Sequence, residues 1–388
     1  MQRGTFQQMK SVNKSIILNK IRTSEPISRA QIAKETTLTP PTVSSIVKEL
    51  IVQGIVRESE LGASQGGRKP TMLLIDQTAF YVIGVDAGPE SVACILTDLS
   101  GEVIERTASK INKPITNEQF IAIMKESIHQ VMRSSSVSKD KLIGIGVAMH
   151  GVVEVEAGIS LIAPNLGLTN IPIKMELEAE FNLIVQVEND ARAMALGESW
   201  FGGHGELESM VAVNLGRGVG AGVVIKGKLY HGSQDIAGEL GHMTIDIHGD
   251  VCECGNRGCL QTFATGKAIA GRARKEINGA TEMLTGKDVF QHALAGDEAY
   301  IKILQETGEM LGVGLTNLIH LINPEKIVLG GGVTKSKKFI LPAVKQTIDQ
   351  RVLTPVAKRT EVAITNLGDD ATLLGAVSLL LVDLFDPL

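Results

Sequence analysis

The tightest constraint on this chain lies between Gly238 and Gln261, in the run G-E-L-G-H-M-T-I-D-I-H-G-D-V-C-E-C-G-N-R-G-C-L-Q. Three of the four cysteines, Cys252, Cys254 and Cys259, fall within eight residues as C-x-C-x4-C, and His242 stands ten positions ahead of the first. Three thiolates and one imidazole make a closed tetrahedral zinc shell, and Gly255 and Gly258 let a short loop turn all three sulfurs toward one ion. A closed shell has no position left to activate water. The zinc is therefore expected to be structural, fixing the loop and, through His242, one wall of a pocket. Buried thiols or a disulfide are the plainer readings of cysteine, but neither accounts for this crowding in a chain whose remaining cysteine is Cys94.

The 388 residues, 44% of them hydrophobic, suit two or three domains with buried cores. No apolar run approaches eighteen residues and the first ten residues are not apolar, so a cytoplasmic protein is expected. At 3%, aromatic residues are too few for a protein that stacks the bases of single strands. Charge is divided unevenly around the net of −5: residues 1–75 carry eleven basic side chains against five acidic ones, leaving +6 there and −11 elsewhere. A basic head on an acidic body suits duplex DNA, although a charged face alone is more often simply solvated.

In the head, Ile16, Ile17 and Ile21 follow Asn13 in a helical run that Pro26 ends. Ser28 with Gln31 reads as a capping box opening a short helix to Glu35. After residues 36–38, Thr39 caps and Pro40 begins a second helix that reaches about Val52 and stops at Gly54. Val43, Ile46, Val47 and Leu50 share its buried face. Ser44, Ser45 and Lys48, flanked by Thr42, occupy the opposite face, small enough to enter a major groove, with Lys48 placed for phosphate or guanine. Strands near 55–58 and 72–75 enclose a glycine-rich stretch, 62–67, and the cations Arg68 and Lys69. The pattern predicts a winged helix-turn-helix. A helix pair can also be plain scaffold and the glycine stretch a plain linker; their succession favours DNA.

From Tyr81 onward buried strands (81–86, 92–98, 142–149, 184–187) alternate with helices, the first spanning about 117–133. Glu188-Asn189-Asp190 leads straight into a helix at 191–200, where Asn189 or Asp190 can serve simply as the cap. A second half opens with V-A-V-N-L-G-R-G-V-G-A-G at 211–222 and continues through a long helix near 297–322. A strand then runs into three glycines at 330–332, which bring backbone close to a ligand or turn tightly into a helix. A last helix covers about 368–384. The expected architecture is α/β: a DNA-binding head at 1–75, a first lobe at 76–190 rejoined by a C-terminal helix at 370–388, and a second lobe with the zinc loop at 191–369.

Taken together, G-E-L-G-H, C-E-C-G-N-R-G-C-L-Q, E-N-D and G-G-R-K-P resemble the ROK family of bacterial repressors and sugar kinases, whose zinc motif ends in Glu where this chain has Gln261. The resemblance implies a two-lobed actin-like ATPase or sugar-kinase fold behind the head. It also implies a sugar site of Asn165, Asn189, Asp190, Glu239, His242 and Gln261, with Asp190 as base toward the phosphoryl-accepting hydroxyl, and adenosine near the three glycines. Within the family the chain looks nearest to the xylose-responsive repressors, so xylose is the first expectation for the effector.

Catalysis is not expected to survive. The family's first phosphate loop reads D-x-G-G-T, whereas Asp86 is followed here by Ala87-Gly88-Pro89-Glu90-Ser91. Pro89 removes a backbone N–H from a loop that works by donating them, and Glu90 brings negative charge toward a triphosphate. Arg217 replaces a small hydroxyl residue in the second loop, where an arginine can still meet a phosphate, so that change by itself points neither way. A base without a positioned phosphoryl donor achieves little. The expectation is a sugar-responsive repressor, a homodimer on palindromic operator DNA that the sugar releases. The alternatives are an ATP-dependent sugar kinase with a regulatory DNA-binding head and a DNA-bound scaffold that senses no small molecule.

Overall fold

The computed structural model describes residues 12–61, 70–205 and 207–385. The glycine-rich stretch at 62–67, Arg68 and Lys69 lie outside the described residues.

The head combines three helices, α1 (Val12–Ser24), α2 (Arg29–Thr36) and α3 (Pro40–Val52), with strands β1 (Ile27–Ser28), β2 (Val56–Leu61) and β3 (Thr71–Ile75) in the order β1-β3-β2. Ile17, Leu18, Ile21, Ile32, Val43, Val47, Leu50 and Leu73 are wholly buried and form its core, whereas Ile46 is only half-buried. Thr39 caps α3 as expected, its hydroxyl accepting from the Thr42 N–H at 3.4 Å. The capping box on α2 forms only by half. Ser28 accepts from the Gln31 N–H at 3.2 Å, but the Gln31 amide donates one turn ahead to Glu35 at 2.9 Å instead of reaching back.

By packing, the chain divides into two compact units: one runs to Glu188 and includes the chain from Ala376 onward, and the other is Asn189–Gly375. This break falls two residues before the boundary expected from the sequence, so Asn189 and Asp190 belong with Glu239. The head groups with the first unit. There, Glu25 accepts from the Ile75 N–H at 2.7 Å, and the Arg22 guanidinium lies 5.9 Å from the centre of the Phe385 ring.

The first unit holds a five-stranded sheet ordered β11-β7-β4-β5-β6. Its strands are β4 (Tyr81–Ala87), β5 (Ser91–Asp98), β6 (Val103–Lys110), β7 (Leu142–Met149) and β11 (Ile184–Asn189). β4, β5 and β6 form an antiparallel meander, and β7 joins β4 in parallel after the crossover helix α4 (Asn117–Ser134). All eight residues of β7 are buried, as a strand covered on both faces requires. A second, three-stranded sheet, β8 (Val152–Glu154), β9 (Ile159–Ala163) and β10 (Leu168–Ile171), precedes α5 (Ile173–Phe181), and the sequence did not announce it. The reason is in β9, where Ser160 is buried while Leu161 and Ile162 face solvent, the reverse of the usual alternation.

The second unit repeats that strand order. β12 (Ser209–Leu215), β13 (Val219–Ile225) and β14 (Lys228–Leu229) form the meander, while β15 (Lys326–Gly330) and β16 (Glu361–Ile364) add in parallel, giving β14-β13-β12-β15-β16. α6 (Asp190–Phe201) precedes the meander; α7 (Gln261–Ala264), α8 (Gly266–Glu276), α9 (Gly286–Leu294), α10 (Glu298–Ile322) and α11 (Lys337–Arg351) run between the later strands, and α12 (Ala371–Phe385) follows β16. α10 and α11 pack along each other over the core made by Val211, Val213, Leu311 and Leu315.

Candidate functional site

The cysteine loop is laid directly against β13. Gly238 has φ +95°, and a Cβ there would lie 1.9 Å from the Ala221 carbonyl oxygen, so only glycine allows the approach that lets Ala221 donate to Gly238 at 2.8 Å. Isolated bridges pair Thr244 with Cys259 and Val251 with Arg257, folding the loop back on itself.

His242, Cys252, Cys254 and Cys259 thereby bring one ligand atom each within 4.8 Å of all the others. Cys254 Sγ stands 3.8 Å from Cys259 Sγ, and Cys252 Sγ stands 3.8 Å from His242 Nδ1. A tetrahedron with metal–sulfur bonds of about 2.3 Å has edges of about 3.8 Å, so the donor set and its spacing fit a tetrahedral ion. The Asn256 N–H and neighbouring donors bring the Cys254 thiol down to about 7, whereas burial and the adjacent thiols push Cys259 up to about 12. Sulfurs so close resist ionising together unless a cation joins them. Cys94 is separate, buried on β5, where burial pushes its thiol pKa far above the usual range.

The second feature of the site starts where β11 runs into α6. Asn189 caps the helix, its Oδ1 accepting from the Ala191 and Arg192 N–H groups at 3.0 and 3.1 Å, and its Nδ2 donates to Asp190 Oδ1 at 3.1 Å. Asp190 Oδ1 also accepts from the Ala191 N–H at 2.9 Å. The Asp190 side chain is densely enclosed although part of its surface is accessible, and that burial pushes its pKa up to about 6; the Ala191 N–H opposes the rise and the charge of Glu239 adds to it. Glu239 Oε2 in turn lies 3.8 Å from His242 Nε2. Asn189, Asp190, Glu239 and His242 therefore stand within one unit, linked stepwise by contact and charge.

Arg192 was not singled out from the sequence. It is 2% exposed, and its Nη1 donates to the Asp235 carbonyl at 2.5 Å, tying the first turn of α6 to the segment that leads into Glu239. An arginine after a helix cap reads as a solvated charge, and only the loop folded above it shows otherwise. Of the other expected sugar contacts, Asn165 is exposed in the first unit, in the turn after β9, where its carbonyl accepts from Lys113 Nζ at 2.8 Å. Gln261 donates through Nε2 to Cys252 Sγ at 3.1 Å and, with Arg217 and Thr262, borders a groove of roughly 260 Å³.

The first hairpin turns of the two five-stranded sheets differ. The β4–β5 turn carries Pro89 and an exposed Glu90, whose carbonyl accepts from Ile111 at 2.8 Å. The β12–β13 turn is Gly216-Arg217-Gly218, closed by a Gly216 N–H to Gly218 carbonyl bond of 3.0 Å. After β15, Gly331 has φ +84° and a Cβ there would lie 2.5 Å from Asn214 Oδ1, so close packing against β12 is sufficient reason for that glycine. On the head, Ser44, Ser45 and Lys48 are exposed along α3, and the Thr42 hydroxyl pairs with that of Thr39 at 2.8 Å.

A family profile described as "ROK family" matches residues 82–382. The chain is 32% identical to the xylose repressor of Caldicellulosiruptor bescii over 391 aligned positions that cover 98% of each protein. It is similar to a crystal structure described as a ROK family transcriptional regulator, homologous to the E. coli MLC protein, with a TM-score of 0.86, 29% identity and coverage of 96% and 97%. A ROK glucokinase from Streptomyces griseus, solved with glucose and AMPPNP, matches at a TM-score of 0.69 and 27% identity, covering 77% of this chain and 98% of its own.

Proposed function

The chain belongs to the ROK family, and from that premise we propose that it is a sugar-responsive transcriptional repressor, not a kinase, with xylose as the first candidate effector. One observation carries the reading. Likeness to a repressor extends over 98% of the chain, head included, while likeness to a kinase of the same family stops at 77%.

The head acts as a winged helix-turn-helix, with α3 entering a major groove through Ser44, Ser45 and Lys48, and Arg68 and Lys69 add positive charge toward the DNA. A single recognition helix reads a half-site, so two copies of the chain bind a palindromic operator. The loop cluster holds zinc through His242, Cys252, Cys254 and Cys259; bound there, the ion supplies rigidity and no open coordination position. With Nδ1 turned to the sulfurs, the imidazole carries its proton on Nε2, which makes His242 a fixed donor beside the acceptor Glu239. Asp190 offers a second carboxylate and Asn189 an amide, a set suited to the hydroxyls of a polyol. No helix among the described residues is long and apolar enough to cross a membrane, in keeping with work in the cytoplasm.

A second reading, a sugar kinase with a regulatory head, is favoured by one feature: Asp190, pushed up to about 6, is poised as a general base. Pro89 and Glu90 weigh against it by depriving a phosphoryl donor of its cradle. Calorimetry against a panel of aldoses, xylose first, with ATP added in parallel runs, separates the two. Binding of a sugar without turnover supports the repressor; turnover abolished by Asp190→Ala establishes the kinase.

A further inference from the structure

We propose that Gln261 serves the metal cluster and not the sugar, acting as a positioning residue that donates its amide N–H to the Cys252 thiolate. Its Nε2 lies 3.1 Å from Cys252 Sγ, close enough for a hydrogen bond to sulfur. The orientation follows from chemistry, because the reversed amide would set carbonyl lone pairs against a sulfur that also has only lone pairs to offer.

The surroundings hold the side chain in that pose. Gln261 opens α7 directly after Cys259 and the wholly buried Leu260, and its carbonyl accepts from the Thr265 hydroxyl at 3.1 Å. Its Oε1 faces the β12–β13 turn, 3.6 Å from where a Cβ at Gly218 would stand. The amide thus spans from the turn to the sulfur. Cys252 is buried, so a donor at its thiolate acts where water competes poorly and the bond counts for more than at the surface. Hydrogen bonds of this kind, one step outside the ligands, orient the ligand and moderate its charge.

Residue type at this position then decides which neighbour the side chain serves. A carboxylate cannot donate to Cys252, and its charge repels a thiolate, so a glutamate here turns away toward the ligand. Glutamine has the same length and the opposite preference. Gln261 is the difference between this loop and the motif it otherwise matches, and it moves one side chain from the ligand to the metal support.

The inference rests on the reading of the cluster as a zinc site, which the zinc content of the parent protein tests on its own. The variants are Gln261→Met, similar in length without a donor, and Gln261→Glu. Competition with a chromogenic chelator is expected to show zinc affinity lowered by about ten- to a hundredfold in both. In cobalt-substituted protein the sulfur-to-metal charge-transfer band of Gln261→Met is expected to move to longer wavelength, a change that a packing defect alone does not produce. At saturating zinc, Gln261→Met is expected to bind sugar as the parent does. A parent that holds zinc, together with variants of unchanged zinc affinity and an unshifted cobalt band, overturns the inference. So does a loss of sugar affinity by Gln261→Met at saturating zinc.

Discussion

The two five-stranded sheets have the same strand order, yet the turn between their first two strands has gone in opposite directions. In the first sheet the turn holds Pro89 and Glu90, one donor short and negatively charged. In the second it holds Gly216, Arg217 and Gly218, with its donors kept and a cation added. The strands on either side are alike: Val82, Ile83 and Val85 are as completely buried as Val211, Ala212 and Val213. Buried strand faces set the topology and leave the turn residues free to change. The fold of the two halves therefore does not by itself say whether phosphate chemistry takes place at either turn.

The largest effect is expected from the support behind the second turn. Cys259→Ser removes a buried ligand; structural zinc is worth on the order of 10 kcal/mol in small zinc domains, and a sizeable fraction of that is expected here. Metal analysis should show zinc largely lost, and thermal unfolding should move down by several degrees at least. Retention of full zinc content would mean that Cys259 does not hold the ion.

Repairing the first turn should bring the halves together. The double change Pro89→Gly and Glu90→Thr restores an N–H and removes the repelling charge. ATP-analogue affinity, measured by calorimetry, should rise by about tenfold or more, on the scale of one or two hydrogen bonds to charged groups. Equal affinity in parent and variant would mean that Pro89 and Glu90 do not set nucleotide affinity.

A smaller change should come from the acceptor beside the second sheet. Asp190→Asn keeps the shape of the side chain, loses the charge and should weaken sugar binding by about tenfold. Because the Asp190 pKa is raised to about 6, sugar affinity in the parent should fall as pH drops through 6, where the carboxylate gains a proton, and the Asn variant should be flat. Stability carries the opposite sign. The native state holds that proton more tightly than the unfolded chain, so the contribution present below pH 4 is lost as pH rises toward 6. A parent whose sugar affinity does not vary between pH 5 and 7 would remove Asp190 from the sugar site. The smallest effect is expected in the head, where Lys48→Ala should lower operator affinity severalfold in a gel-shift titration and reduce its salt dependence.

What the sequence made legible was local. Thr39 and Pro40 mark the start of α3 because a cap acts over three residues, and β7 is readable because all of its side chains are apolar and buried. The cluster that could hold a metal is legible for the same reason, its one histidine and three cysteines spanning only 18 positions from His242 to Cys259. What escaped depends on distant partners. The sheet of β8, β9 and β10 hides because Ser160 points inward and its apolar neighbours outward. Arg192 gains its place in the site from Asp235, and the amide of Gln261 from the sulfur it faces. The break before Asn189 is likewise a property of packing, and it moves Asn189 and Asp190 into company with Glu239.

The central claim is that this ROK protein couples a sugar to DNA release and performs no chemistry on it. Any such coupling is reciprocal, typically ~1 to 3 kcal/mol, or about five- to 150-fold in affinity. The most direct test is operator affinity of the full chain, using a palindrome selected from random duplex DNA, titrated with and without the sugar that calorimetry identifies. The account predicts weaker operator binding with sugar in the parent and no response in Glu239→Ala, which should still bind DNA normally. Equal affinities in the parent, or tighter binding with sugar, would contradict it.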